Sequence, residues 1–244
     1  MNGISIIVPT LNEEKNVKNL CERIHRSVSK TGTPYEIIFV DDFSTDATGA
    51  KIKMLAKTYP ISLHVKRGSR GKAQSILEGC AYAKYDVYAF IDADLQYPPE
   101  ALPAMIASLT QNNADVVVTN RKLHHTNPFR KYGSKANRFV FGRLMFGLPY
   151  DTQSGMKLFK KQVIETMDIK PTPWSFDLEF LVKARSAGYS IESVDIAFQK
   201  RSAGESKVSM TQVATELIIS SLALKWHMIL TEYFTPAKRF VMGE

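Results

Sequence analysis

The stretch Ile91-Asp92-Ala93-Asp94-Leu95-Gln96-Tyr97-Pro98-Pro99-Glu100 places two carboxylates and an amide directly after a short apolar run. That run, residues 87–91, is rich in β-branched and aromatic side chains, which predicts a buried strand. The two consecutive prolines followed by a glutamate indicate the start of a helix. Asp92, Asp94 and Gln96 are therefore predicted to lie in a strand-to-helix turn.

This turn is a candidate ligand site, because open α/β sheets bind their ligands at the carboxyl ends of the strands. Three oxygen donors at alternate positions can converge on a hard cation such as Mg²⁺ or Mn²⁺, which takes its other ligands from water and substrate phosphates. A nucleoside diphosphate is the implied ligand. The alternative is a polar turn that caps the next helix, since Asp is common in turns. Spacing alone leaves both open.

The rest of the chain alternates between strand and helix patterns. Strands are predicted at residues 4–8, 35–40, 61–65, 87–91 and 115–119, and helices at 14–29, 47–59, 72–83 and 99–111. This alternation predicts an α/β fold with a mostly parallel central sheet covered by helices on both faces. The pattern then loosens, and two more strands are predicted at residues 155–159 and 190–198.

Length and charge restrict the possible organisation and partners. The 244 residues suffice for one large domain, here residues 1–208, followed by an appendage at residues 209–244. The net charge of +8 favours a polyanionic partner, which could be nucleic acid, an anionic membrane or a phosphorylated substrate. Cys21 and Cys80 lack a CxxC context, so disulfide and zinc sites are disfavoured and a reducing compartment is predicted. The N-terminus lacks the features of a signal peptide and predicts a cytoplasmic start.

The segment 210–234 is strongly apolar with a helical pattern. Glu216, Lys225 and Glu232 interrupt it, so it falls short of the roughly 20 apolar residues needed to span a bilayer. An amphipathic helix at a membrane interface is the favoured interpretation. A helix that packs on the main domain is the alternative.

Residues 120–150 interleave basic and aromatic side chains, a pattern that suits a lipid phosphate, nucleic acid or a solvated helix. The chain contains neither GxGxxG nor GxxxxGK[ST], which excludes the dinucleotide and P-loop classes. No nucleic-acid-binding motif is present, so a nucleic-acid partner is not expected.

Several of these pieces together resemble a known family. Residues 8–14 (VPTLNEE), 40–48 (VDDFSTDAT), 71–72 (GK) and 92–96 (DADLQ) are similar, in order and spacing, to the inverting family 2 glycosyltransferases, which have the GT-A fold. With residues 97–100 and 204–207 (GESK), the resemblance narrows to dolichol-phosphate mannose synthases and related polyprenyl-phosphate glycosyltransferases. It extends from residue 5 to residue 207.

The resemblance implies three sets of site residues. The nucleotide-sugar donor is expected to contact Pro9, Asn12, Glu13, Asp41, Asp42, Lys72, Asp92 and Lys207. Mg²⁺ or Mn²⁺ is expected at Asp92, Asp94 and Gln96. The residues expected to act in catalysis, by holding metal or phosphate, are Asp94, Arg121, Arg130 and Arg201, with Ser206 as a further phosphate contact and Lys131 or Lys135 as alternatives to Arg130.

The implied reaction moves one sugar from a GDP- or UDP-sugar to a polyprenyl or dolichyl phosphate, with inversion. A phosphate nucleophile is already ionised and needs cationic positioning rather than a base. A hydroxyl acceptor on a glycan or glycolipid would need a carboxylate base, for which Asp177 and Glu179 are candidates. Leu178 separates them, whereas many hydroxyl-accepting relatives have an adjacent Glu-Asp pair, and QxxRW is absent, so the phosphate acceptor is favoured.

Further expectations concern location and partners. The resemblance implies a peripheral enzyme at the cytoplasmic face of a membrane, held by the C-terminal helix and basic surface, with a separately encoded membrane subunit as a possible partner. A nucleotide-sugar-binding subunit without turnover is the non-enzymatic alternative, disfavoured because the proposed metal ligands are intact. Met156-Lys157 replaces the phenylalanine-arginine pair expected in residues 151–157, which leaves the contacts of that segment open.

Overall fold

The computed structural model describes residues 1–122, 142–170, 175–199 and 210–234. In this part of the chain the protein forms a seven-stranded sheet with the order β3-β2-β1-β4-β6-β5-β7. The strands are β1 (Ile4–Thr10), β2 (Tyr35–Asp41), β3 (Ile61–Val65), β4 (Val87–Phe90), β5 (Val116–Lys122), β6 (Lys157–Lys160) and β7 (Ile191–Ala197). The helices are α1 (Val17–Val28), α2 (Thr48–Leu55), α3 (Lys72–Ala81), α4 (Leu102–Gln111), α5 (Lys161–Glu165), α6 (Phe176–Ser186) and α7 (Met210–Phe234). Short 3₁₀ turns at Ser29–Thr31 and Pro99–Ala101 extend α1 and precede α4.

Helices cover both faces of the sheet, as predicted. Alternate β1 residues such as Ile6 belong to the apolar cluster that includes α1 and α4. Ile7 faces the opposite side, where α3 approaches so closely that a Cβ on Gly79 would lie 2.5 Å from the Ile7 side chain. Phe90 and Phe180 bring α6 to this same face. Because side chains alternate across a strand, burial of both sets explains why Ile4, Ile6, Ile7 and Val8 of β1 are all apolar.

The pairing is parallel except at β6. Strands β1, β2, β3 and β4 pair in parallel, as do β5 and β7, whereas β6 is antiparallel to both of its neighbours. The mostly parallel sheet is therefore confirmed. The strand predicted at residues 155–159 begins two residues later than expected and lies between β4 and β5, because residues 151–156 form the loop that reaches the candidate site.

Contacts divide the chain into two compact units, Met1–Ser206 and Lys207–Glu244. The second unit contains α7, whose bounds agree with the predicted helix. Six large apolar side chains of α7 are exposed: Ile218, Ile219, Leu222, Trp226, Ile229 and Leu230. At 100° per residue, all six lie within about 120° around the helix axis and form one apolar stripe.

Within the described ranges, no helix combines the length and the apolarity that are needed to cross a lipid bilayer.

Candidate functional site

The candidate site lies where the central parallel strands end. Three non-glycine residues adopt left-handed backbone conformations there: Asn12 after β1 (φ 55°), Phe43 after β2 (φ 62°) and Leu95 after β4 (φ 63°). Such conformations are unfavourable for residues other than glycine and cluster at functional sites. The side chain of Leu95 is buried in the core, which holds the turn between Asp94 and Gln96 in place.

Hydrogen bonds join the loops that follow β1 and β2. The Asn12 backbone N–H donates to Ser44 Oγ (2.9 Å), and the Thr45 N–H donates to Asn12 Oδ1 (2.8 Å). The Glu13 N–H donates to Thr48 Oγ1 at 2.8 Å. Asn12 therefore holds together the loops of the predicted donor site; Glu13 lies on the same loop, and Pro9 lies near the end of β1.

The neighbouring aspartates Asp41 and Asp42 differ in their contacts. Asp41 accepts hydrogen bonds from the Ser44 hydroxyl and N–H within its own loop. Asp42 reaches the loop after β3: it pairs with the buried ammonium of Lys66 at 3.1 Å and accepts from the Gly71 N–H at 2.9 Å. Asp42 thus holds the 66–71 loop, and Lys72 directly after it.

Lys72 connects this loop to the acidic turn. Its ammonium lies 2.6 Å from Asp92, and both side chains are partly exposed. Burial alone lowers the pKa of Lys72, but the nearby Asp92 and Asp177 carboxylates outweigh it and raise the pKa above its usual value. A Cβ on Gly155 would overlap the Asp92 carboxylate and lie 3.0 Å from Lys72 Nζ, so this position requires glycine.

The acidic turn matches the chemistry of a shared divalent-cation site. The Gln96 N–H donates to Asp94 Oδ1 at 3.1 Å, and Asp94 is buried. Among the residues that the structure describes, no three acidic, histidine or cysteine side chains form a cage for a metal ion. Two carboxylates and an amide, with Asp92 already paired to Lys72, fit a cation that takes its remaining ligands from a diphosphate.

Arg121 lies at the end of β5 and is held by a buried carboxylate. Its Nε and Nη2 donate to Asp151 at 2.5 and 3.0 Å, and the guanidinium carbon lies 5.3 Å from the Phe198 ring centroid. Burial alone lowers the pKa of Arg121, but Tyr97 and Asp151 outweigh this and raise it. The Tyr97 hydroxyl donates to the Gln153 carbonyl, which links the 151–156 loop that holds Arg121 to the acidic turn.

The candidate bases are both in ion pairs. Asp177, in the first turn of α6, accepts from the fully buried ammonium of Lys157. Glu179 is buried and pairs with Lys183 at 2.6 Å. Burial lowers the pKa of Lys157, and Asp177 opposes that shift.

The predicted donor and metal residues from Pro9 to Gln96 thus belong to one connected set, and Arg121 joins it through residues 151–155. Arg130, Arg201 and Lys207, with Ser206, Lys131 and Lys135, lie outside the described residues. Sequence reasoning missed Lys66 and the Arg121–Asp151 pair. A lysine directly after β3, at the carboxyl edge of the sheet, was a usable signal for the first. The Arg121–Asp151 pair joins positions 30 residues apart, and no sequence signal indicated this pairing.

A solved structure shares this fold. Glucosyl-3-phosphoglycerate synthase from Mycobacterium tuberculosis, crystallised with Mn²⁺, uridine diphosphate and glucosyl-3-phosphoglycerate, superposes with a TM-score of 0.71 at 18% identity. The match covers 92% of this chain and 80% of that chain. The fold is that of the GT-A glycosyltransferases.

Sequence comparison identifies the family. The model for glycosyl transferase family 2 matches residues 5–167, and the chain belongs to this family. Dolichol-phosphate mannosyltransferase of Pyrococcus furiosus is 31% identical over 91% of this chain and 64% of that protein. Undecaprenyl-phosphate 4-deoxy-4-formamido-L-arabinose transferase of Proteus mirabilis is 28% identical over 87% of this chain and 65% of that protein. The chain therefore spans just under two thirds of the length of these relatives, and the resemblance stated above is confirmed.

Proposed function

We propose that this protein transfers a single sugar from a nucleotide sugar, GDP-mannose or a UDP-hexose, to a polyprenyl or dolichyl phosphate, with inversion. The observation that carries the proposal is the connection of an acidic turn, through Lys72 and Gly155, to a partly exposed Arg121 that is held by Asp151. Relatives named for polyprenyl-phosphate sugar transfer support the acceptor class.

On the donor side, hydrogen bonds hold the segments after β1, β2 and β3 to one another. Pro9, Asn12, Glu13, Asp41 and Asp42 are proposed to contact the base and ribose there. Because Asn12 and Asp42 already hydrogen-bond neighbouring loops, little ordering remains when the nucleotide binds.

At the acidic turn, Asp92, Asp94 and Gln96 would hold Mg²⁺ or Mn²⁺ together with the diphosphate. When bound, the cation supplies positive charge to the leaving diphosphate. Lys72 contributes a second positive charge beside Asp92, held in place by this ion pair before substrate binds.

For the acceptor, Arg121 presents a guanidinium whose orientation Asp151 fixes through two hydrogen bonds. Arginine suits a phosphate because its charge is permanent and its donors form a planar fork. Arg130, Arg201 and Lys207 are proposed to complete this phosphate-binding set. The acceptor phosphate is already ionised, so the protein needs to orient it in line with the anomeric carbon and not to remove a proton.

The exposed stripe of α7 supports a peripheral membrane position. Ile218, Leu222 and Trp226 are among its side chains, and a helix of this kind can lie in the lipid headgroup region. The net charge of +8 favours an anionic lipid surface. We further propose that the protein acts at the cytoplasmic face of the membrane, with a separately encoded membrane subunit as its partner.

A product assay tests the reaction. The purified protein is incubated with Mn²⁺ or Mg²⁺, a panel of GDP- and UDP-sugars and a short polyprenyl phosphate, and products are identified by mass spectrometry. A metal-dependent polyprenyl-phosphate sugar is expected, absent in Asp94→Ala and retained in the exposed-site control Asp168→Ala. A product formed only with hydroxyl acceptors would refute the acceptor assignment.

Vesicle flotation tests the membrane position. Leu222→Glu combined with Trp226→Glu is expected to weaken binding to phosphatidylglycerol vesicles by about tenfold or more, since two apolar side chains leave the lipid. Met54→Glu, an exposed apolar position on α2, is the matched control. Unchanged flotation of the double variant would show that α7 does not hold the protein on lipid.

A further inference from the structure

Met156-Lys157 replaces the phenylalanine-arginine pair of the family pattern, and the Lys157 side chain is 0% exposed. Its ammonium donates to the Ser154 carbonyl and to Asp177 Oδ1. A buried ammonium is strongly disfavoured unless a carboxylate accompanies it. Asp177 is therefore required for Lys157 to exist in this position as a cation.

Asp177 is also connected to the acidic turn, through the segment that carries Lys157. Gly155 of this segment packs against Asp92 and Lys72, and Lys157 follows two residues later. The charge of Asp177 is also among those that raise the pKa of Lys72 and of Arg121.

We propose that Asp177 is a positioning residue, the counter-ion that holds Lys157 and with it the 154–157 segment against Asp92 and Lys72, and not the general base of a hydroxyl-accepting enzyme. The inference rests on the proposed function and deepens it: with Asp177 paired to Lys157 and Glu179 paired to Lys183, both candidate bases serve as counter-ions, and an acceptor that is already ionised suits the site. A phosphate or phosphate monoester is the acceptor chemistry that this arrangement serves.

The two roles predict opposite outcomes when Lys157 is removed as well. In Asp177→Asn, the buried ammonium of Lys157 loses its partner, so the 154–157 segment, whose Gly155 packs against Asp92 and Lys72, has to shift. This shift disturbs the acidic turn. Combining Lys157→Met with Asp177→Asn removes both charges of the pair, so the Lys72–Asp92 pair is left intact. A lost base could not be restored in this way.

The first measurement is calorimetric binding of uridine or guanosine diphosphate with Mn²⁺, which requires no acceptor. Asp177→Asn is expected to weaken binding by about tenfold, a usual size for coupling between neighbouring sites. The double variant is expected to return to within about threefold of the unaltered protein. A double variant as weak as Asp177→Asn would overturn the proposal.

The second measurement is the pH dependence of kcat for the acceptor that the product assay identifies. The double variant is expected to keep the acidic limb of the profile and most of its rate. Loss of that limb together with about 10²–10⁴-fold in kcat would identify Asp177 as a base instead. If the unaltered protein forms no lipid product, the proposed function fails while the binding experiment still decides the role of Asp177.

Two further variants control for folding. Lys160→Met with Asp115→Asn removes a pair of 2.9 Å at the opposite end of β5 and β6, and is expected to leave nucleotide binding unchanged. Lys157→Arg keeps a cation for Asp177 and is expected to bind within about threefold of the unaltered protein. If the double variant does not fold, a loss above about tenfold in Lys157→Arg overturns the proposal.

Discussion

The two sides of the site are built from different interactions. On the donor side, formed by loops 9–16, 41–48 and 66–72, backbone N–H groups and short polar side chains hydrogen-bond between neighbouring loops. On the charged side, formed by Arg121, residues 151–157 and the start of α6, two ion pairs each join a buried side chain to a partly exposed one, Asp151 to Arg121 and Lys157 to Asp177. The donor side includes one such pair, Lys66–Asp42.

The difference follows from the tasks proposed for each side. A nucleotide base and ribose are recognised by hydrogen bonds in a fixed pocket, so rigid loops suffice. A charged acceptor has to bind cations that already have carboxylate counter-ions. Other parts of the protein therefore have to hold those counter-ions in place. Substitutions that change side-chain volume should therefore lower activity most where the two sides meet. Substitutions that change backbone conformation should have the least effect at the outer donor loops.

The largest effect is expected at Gly155, where the sides meet. In Gly155→Ala the new methyl group overlaps the Asp92 carboxylate, and the Lys72–Asp92 pair has to shift. We expect kcat to fall by about 10²–10³-fold, since small misplacements of catalytic groups have effects of this order. Steady-state kinetics with Gly49→Ala as control tests this, because a Cβ at Gly49 makes an ordinary 3.8 Å contact. An unchanged kcat in Gly155→Ala would show that packing at Gly155 does not couple the two sides.

Lys66→Met is expected to have the next largest effect, on stability. It leaves the Asp42 carboxylate buried without its ammonium, a change that costs about 3–5 kcal/mol of unfolding free energy. The thermal midpoint should fall by roughly 6–12 °C for a domain of this size. Lys51→Met, which removes an exposed 4.0 Å pair with Glu14, should change it by no more than about 2 °C. Equal falls in the thermal midpoint of the two variants would show that the Lys66–Asp42 pair stabilises the protein no more than the exposed Lys51–Glu14 pair.

Arg121→Lys keeps the charge but loses one of the two hydrogen bonds to Asp151. We expect the acceptor KM to rise by about tenfold, with nucleotide affinity unchanged, because the change is confined to the charged side. Lys122→Met, next along β5 and in an exposed pair with Asp195, is the control. A rise in the nucleotide Kd of the same size would show that the two sides do not act separately.

Phe43→Gly is expected to have the smallest effect. Glycine relieves the left-handed strain at φ 62°, but it loses the contact of the ring with Arg70, whose guanidinium carbon lies 5.5 Å from the ring centroid. Both contributions are about 1 kcal/mol and oppose each other, so the free energy of unfolding should change by less than about 0.5 kcal/mol. Chemical denaturation, with Asn113→Gly (φ 49°) as reference, measures this. A larger loss would make the Phe43 ring a structural part of the donor side.

The strand-end positions of the donor side and of the acidic turn were predictable because their signals are local. Asp92, Asp94 and Asp42 each follow an apolar strand within a few residues, and parallel strands bring their carboxyl ends to one edge. The helix and strand order of the first half followed from the same periodicity. The bounds of α7 were also recovered, since its pattern is long and consistently helical.

The charged side was less predictable because its partners are distant in sequence. Lys157 and Asp177 are 20 residues apart, and the position of the 151–157 segment depends on β6 inserting between β4 and β5. Periodicity indicates a strand but not its direction or neighbours. Lys157 was visible only as a departure from a family pattern, and its burial came from tertiary structure.

The antiparallel strand β6 also has a consequence for synthesis of the chain on the ribosome. The sheet β3-β2-β1-β4 can form once Phe90 has emerged, but among the described strands it is β6 that covers the free edge of β4. That strand follows about 70 residues later, which at typical translation rates is roughly 3–14 s. During this interval an apolar strand edge is open to pairing with other nascent chains. Slow translation of residues 91–156 should therefore lower the yield of soluble protein.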